Sequence, residues 1–152
     1  MSLAQSEAAA LDSRLRALED RHRIADVLHR YCRALDRLDA ALLHEVFFED
    51  AELDYGPGLY RGPPGPFIPF ALEFQGAMRH TQHRLTNLLI ERSGERAFCE
   101  SYVCAVHQLE REGALLDLIV EGRFLDGFEL RRGEWRVARR VEVIDFAHER
   151  PS

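Results

Sequence analysis

Lysine is missing altogether: each of the 20 basic residues in this 152-residue chain is an arginine. That excludes a Schiff-base lysine, a phosphate-loop lysine and a lysine general base. Cysteine is scarce, with Cys32, Cys99 and Cys104 the three present. An odd count without a secretory leader fits free thiols in a reducing compartment. Cys99 and Cys104 have an odd spacing that sends them to opposite faces of a strand, which suits neither a local disulfide nor a metal clip. No apolar run approaches the roughly 18 residues needed to cross a bilayer. Also absent are a Gly-x-Ser-x-Gly nucleophile elbow, a glycine-rich phosphate loop and a dinucleotide fingerprint. Basic residues never run beyond adjacent pairs such as Arg139 and Arg140, and the net charge is −6. Such a chain has no phosphate-tracking stripe. The expectation is a cytoplasmic protein with neither nucleic acid nor membrane among its partners.

What is present suffices for one well-filled domain. Apolar residues make up 46% and charged residues 30%, which rules out wholesale disorder. Residues 1–12 read as a flexible lead-in and 13–150 as a single domain, with no internal repeat or linker. From about Asp12 to Leu38 the apolar residues Ile24, Val27, Leu28, Tyr31, Ala34, Leu35 and Leu38 recur at three and four, one buried helical stripe. Asp39 can cap a second short helix through Val46, with Leu42, Leu43 and Val46 inward. Ala51–Tyr55 and Leu59–Arg61 then read as a small hairpin around Gly56-Pro57-Gly58. A third helix carries Phe67, Phe70, Ala71, Phe74 and Met78, and Pro69 predicts that it starts near Phe67. Beyond it lie four long β-favouring runs, Arg84–Glu91, Ala97–Glu110, Leu115–Leu130 and Trp135–Phe146. Short glycine turns join them into an antiparallel meander. The fold class is therefore α+β, with three helices covering the concave face of a curved antiparallel sheet.

Polar residues in apolar positions mark the candidate site. If a strand begins near His83, then His83, Leu85, Asn87 and Leu89 share one face, and Leu88 and Ile90 fall outside. On the next strand Val103, Ala105 and His107 share a face of the same mixed character. Histidines and an amide inside a β surface suggest a pocket lining. Asp36 closes the buried stripe of the first helix, at the end where the helix dipole disfavours a carboxylate. A histidine imidazole would hold it there. The carboxylate would accept the Nδ1 hydrogen and leave Nε2 as a general base. His80, His83, His107 and Asp36 could also be read as a metal cluster. Residues three apart on a strand face opposite sides, however, so no metal is expected.

Several stretches carry a family resemblance. They are Ile24-Ala25-Asp26-Val27-Leu28 on to Tyr31, Leu35-Asp36-Arg37-Leu38-Asp39, Phe47-Phe48-Glu49-Asp50-Ala51, and Tyr60-Arg61-Gly62. His83 with Thr86-Asn87, Gly122-Arg123-Phe124-Leu125-Asp126 and Gly133-Glu134-Trp135-Arg136-Val137 complete the set. In this order they resemble the SnoaL-like branch of the nuclear-transport-factor-2-like superfamily, from about Leu18 to Phe146. The resemblance implies a cone-shaped α+β barrel with an internal ligand pocket. Within the branch, the chain is similar to the scytalone dehydratase-like and hexachlorocyclohexane dehydrochlorinase-like members. Asp36 and His83 fall on their supporting aspartate and histidine base. Tyr55 and His107 match a tyrosine and a second histidine of the dehydratase pattern. Leu35 stands where that pattern has a further tyrosine, which points away from scytalone itself.

The expectation that follows is a cofactor-free lyase or isomerase acting on a small cyclic, apolar molecule. His83 would be the base, Asp36 its support, and Tyr55 and His107 donors to an oxyanion. Tyr31, Phe70 and Phe74 are candidate lining residues. Asn87 would bind ligand or tie down backbone, and Arg123 would meet a substrate carboxylate or pair with a surface glutamate. The alternative is a non-catalytic small-ligand binder or assembly subunit resembling a ring-hydroxylating dioxygenase small subunit. A homo-oligomer, dimer or trimer, is expected either way, with Leu88, Ile90, Tyr102 and Val106 on the outer sheet face.

Overall fold

The computed structural model describes residues 3–152, with side chains from residue 5 on; residues 1 and 2 of the expected lead-in lie outside the described residues. Helix α1 spans Leu3–Arg37 and α2 Ala40–Val46. Strands β1 (Phe47–Asp54) and β2 (Arg61–Gly62) lead to α3 (Pro64–Gly76). The long strands follow: β3 (His80–Ser93), β4 (Arg96–Arg111), β5 (Ala114–Arg131) and β6 (Glu134–Pro151).

The α1 stripe packs as its spacing demands, with Ile24, Val27, Leu28, Tyr31, Ala34 and Leu35 buried. Fully burying side chains such as Ile24 and Leu28 contributes roughly 1.5–3 kcal/mol each. Two features of α1 differ from the sequence reading. The helix begins at Leu3 rather than near Asp12, and its early turns are exposed, Leu11, Leu15 and Leu18 included. Leu38 is not part of the stripe. It takes a left-handed φ of 53° and turns outward. Its N–H donates to the Leu35 carbonyl and that of Asp39 to the Ala34 carbonyl, the two bonds that close a helix C-terminus. Asp39 then caps α2, accepting from the Leu42 N–H at 2.9 Å.

Helix α3 starts at Pro64, three residues before the position that Pro69 predicted, and Pro69 lies inside it. Pro64 and Pro66 occupy the first turn, where their missing N–H groups cost nothing. Pro69 lies past that turn, inside the helix.

The sheet order is β2-β1-β6-β5-β4-β3. The meander β3–β6 is antiparallel throughout, as expected. The sheet as a whole is mixed and open, because β1 pairs with β6 in parallel and β2 and β3 form free edges. The three helices cover its concave face, so the α+β architecture stands.

Bulges set which side chains face in. On β3 the pairing with β4 slips between Thr86 and Leu89, where Asn87 has φ 52°. Before the slip Thr81, His83 and Leu85 point inward; after it Leu88 and Ile90 do. On β6 the register shifts twice, at Ala138 and at Asp145. The first shift turns Arg140, Glu142 and Ile144 inward, where strict alternation from Trp135 and Val137 would place Val141 and Val143. Facing the second, Gly122 approaches the Val143 carbonyl too closely for any side chain.

Candidate active site

Asp36 sits in the last turn of α1, against the unfavourable end of the helix dipole, and β3 supplies what holds it. Its carboxylate accepts the backbone N–H of His83 at 3.1 Å through Oδ1 and 3.0 Å through Oδ2. The His83 ring donates Nδ1–H to Oδ1 at 2.7 Å. The tautomer is thereby set, and Nε2 keeps its lone pair. The His83 side chain is 6% exposed and lines a cavity of about 200 Å³. The expected meeting of these two residues, 47 positions apart, is what the fold delivers.

The cavity is mostly apolar, walled by Leu35, Phe67, Val103, Val120 and Phe124, with Phe70 and Phe74 of α3 over it. His107 sits beside His83, ring centroids 5.5 Å apart, and Phe74 meets its edge. Thr81 donates its hydroxyl to Gln75 Oε1 at 2.8 Å, with the Gln75 amide assigned in that orientation. Having spent its proton, the threonine oxygen accepts from His107 Nδ1 at 3.0 Å. Burial, reinforced by His83, pushes the His107 pKa down to about 4. The ring is therefore neutral, and Nε2 is a bare acceptor. The donor role expected for His107 is corrected by this chain of bonds.

Donors come from elsewhere. Tyr31 of α1 and Tyr55, directly after β1, both line the cavity and join hydroxyl to hydroxyl at 2.9 Å. One of their two protons is shared between them, which leaves the other to point at a ligand. Burial pushes Tyr55 up to about 12, with Arg140 pulling the other way, and also raises Tyr31 well above its ordinary value. Both stay protonated in any physiological range.

Behind the tyrosines lies a pair that the sequence reading missed. Arg140 and Asp126, each fully buried, are joined at 2.7 Å through both Nε–Oδ1 and Nη2–Oδ2. The guanidinium also stacks over Phe124 and Tyr31, 4.0 and 4.2 Å from the ring centroids. Glu142, one inward step further along β6, is the one carboxylate lining the cavity among the described residues. Burial raises its pKa to about 7, against the pull of Arg140. The sequence reading assigns no faces to this strand, and strict alternation from Trp135 and Val137 would leave both residues outside; the bulge at Ala138 brings them in.

Asp36 holds His83 from behind the cavity wall, and two further candidates fall outside the cavity altogether. Asn87 is the exposed bulge residue of β3, whose left-handed backbone an asparagine tolerates. Its inward position is thus corrected, and Leu88 and Ile90 correspondingly leave the outer face. Arg123 points away from the cavity and pairs with Asp145 at 3.1 Å, so its place near a substrate is corrected too. The cysteines are free, with Cys99 buried and Cys104 on the opposite face. Among the described residues, no three His, Cys, Asp or Glu side chains are arranged to hold a metal ion. No helix among them is long and apolar enough to cross a membrane.

A curved sheet with helices in its concavity, enclosing a small apolar cavity beside an aspartate–histidine pair, defines a class of α+β pocket proteins. Residues 16–141 match the SnoaL-like domain model, and the chain belongs to that family. No curated protein matches the sequence. Among solved structures, a provisionally assigned scytalone dehydratase from Novosphingobium aromaticivorans is 26% identical with a TM-score of 0.76, covering 90% of this chain and 93% of its own. A provisionally assigned aromatic ring hydroxylase from the same organism is also 26% identical, with a TM-score of 0.71 and coverage of 89% and 94%. Hexachlorocyclohexane dehydrochlorinase LinA-type3 from Novosphingobium barchaimii shares the fold at 20% identity, with a TM-score of 0.76 and coverage of 90% and 93%.

Proposed function

We propose that the chain is a cofactor-free lyase or isomerase in which His83 removes a proton from carbon in a small cyclic, largely apolar molecule. The observation that carries this is the 2.7 Å bond from His83 Nδ1 to Asp36, which leaves Nε2 basic on a ring that lines the cavity. Asp36 orients the ring and stabilises the imidazolium. The free proton of the Tyr31–Tyr55 pair meets the oxygen on which charge develops. His107, a neutral acceptor, orients a substrate hydroxyl. The likenesses to a dehydratase and a dehydrochlorinase support a proton abstraction followed by loss of a leaving group. The test is a panel of enolisable cyclic ketones and hydroxylated or halogenated rings, assayed with wild type and His83→Ala. Equal turnover by the two proteins would exclude His83 as the base.

A non-catalytic ligand-binding or assembly subunit is the second reading. Its support is the likeness to a ring hydroxylase and the exposed apolar side chains Leu89, Tyr102 and Phe146. Self-association of this chain, as dimer or trimer, would use the same side chains. Copurification of a different subunit, together with an inert substrate panel, would favour this second reading.

A further inference from the structure

The cavity has two polar poles. At one, His83 and His107 are neighbours on β3 and β4. At the other, Glu142 of β6 shares its surroundings with Tyr31, Tyr55 and Arg140, each of which interacts electrostatically with it or with its immediate neighbours. Strands β4 and β5 separate the poles: His83 pairs with Ala105, and Glu142 with Phe124 two strands further on. Between them the wall is hydrocarbon and aromatic ring.

Glu142 is out of keeping with that wall. A carboxylate facing an apolar cavity costs stability unless it is bonded or neutral. Arg140, two residues before it, is already held by Asp126 through two bonds, and its remaining Nη1 has no hydrogen-bond partner. No hydrogen bond holds the Glu142 carboxylate among the described residues, and Arg140 acts on it only through its charge. The raised pKa agrees with this geometry: near neutrality a large share of Glu142 carries a proton, and the cavity lies in front of it. Tyr31 faces this group from α1, Tyr55 from the end of β1 and Arg140 from its own strand. The two histidines share the cavity from β3 and β4.

Resting on the elimination reading above, we propose that Glu142 is the acid that protonates a departing hydroxyl, so that the pocket is built for loss of water rather than of halide. In the step, the C–H bond breaks and its proton passes to His83 Nε2. That electron pair forms the new C=C bond as the C–O bond breaks, and the leaving oxygen takes the Glu142 proton and departs as water. The enzyme is left with an imidazolium and a carboxylate, and proton exchange with solvent restores both. A chloride needs no such donor, because it leaves as a stable anion. The substrate class is therefore a ring with an acidic C–H adjacent to a carbon bearing a hydroxyl.

The experiment compares a β-hydroxycyclohexanone with its β-chloro counterpart, using wild type, Glu142→Gln and His83→Ala. The readout is the ratio of hydroxy to chloro turnover. Glu142→Gln should lower that ratio about 100-fold, the scale of a lost general acid. His83→Ala should remove turnover of both compounds. An unchanged ratio in Glu142→Gln overturns the acid while leaving the base in place. Wild-type rates in His83→Ala overturn the base and the acid with it. If circular dichroism shows Glu142→Gln unfolded, Glu142→Met serves instead. It fills similar space with no acid, and a ratio equal to wild type in that variant also overturns the proposal.

Discussion

One carboxylate oxygen of Asp36 accepts both the ring N–H and the backbone N–H of His83, so the group that orients the imidazole also ties the end of α1 to the edge strand β3. Catalytic and structural roles therefore separate by variant. His83→Ala keeps the backbone N–H and with it the helix-to-sheet tie. It should lower turnover about 1000-fold with a small change in Tm. Asp36→Ala strips the partner from a buried N–H and should cost about 1–3 kcal/mol as well. Urea unfolding read beside turnover distinguishes the two.

The buried pair of Arg140 and Asp126 makes a second prediction. Asp126→Asn leaves a guanidinium charge enclosed by aromatic rings and should destabilise the fold by about 3–5 kcal/mol. The double variant Asp126→Leu with Arg140→Met removes both charges and should recover a large part of that loss. Denaturant midpoints measure both. A single variant as stable as wild type would mean that the pair is not holding the tyrosine end of the cavity.

His107 gives stability a dependence on acid. Its folded pKa, about 4, lies below the unfolded value of 6.5, so the unfolded chain binds the proton first. Stability should fall as pH drops from about 6.5 to about 4 and level off below, by on the order of 3 kcal/mol in total. Glu142 acts in the opposite sense. Its folded pKa of about 7 is above the ordinary 4.5, so its contribution is lost as pH rises through that window. Because the two windows overlap, the contributions offset in wild type: between about pH 4.5 and 6.5 its Tm should change little, while His107→Asn should lose stability as pH rises and Glu142→Gln should gain it.

Leu38 occupies a left-handed position that glycine fills in other helix ends. Its side chain is half exposed and contributes little packing. Leu38→Gly should therefore stabilise the chain by about 0.5–1 kcal/mol, the strain relieved outweighing the added flexibility of the unfolded state. A lower urea midpoint in this variant would show that the Leu38 side chain matters more to packing than its backbone does to strain.

Much of this was legible in the sequence because it rests on periodicity. The stripe from Ile24 to Leu35, the cap at Asp39 and the four long strands are local signals repeated often enough to survive tertiary context. Asp36 and His83 stood out because each sat where an apolar residue belongs. The misses share one cause. Alternation along a strand holds only until the chain inserts an extra residue, and nothing in the side chains of Asn87 or Ala138 announces that insertion. Past Asn87 the reading of β3 inverted, so the asparagine was placed inside and Ile90 outside. Past Ala138 the same inversion hid Arg140 and Glu142 behind two valines. The parallel pairing of β1 with β6 joins segments far apart in the chain, which no local pattern encodes.

The bulge at Ala138 thus behaves as a selector. The strand after it carries two alternative linings, one of valines and one holding an arginine and a glutamate, and a single extra residue decides which of them the ligand meets. A relative with the same residues and no bulge would keep the histidines and tyrosines but face them with valines in place of Glu142. Gain or loss of one codon at this point would add or remove the cavity's carboxylate while leaving in place the base on β3 and every side chain that the helices contribute.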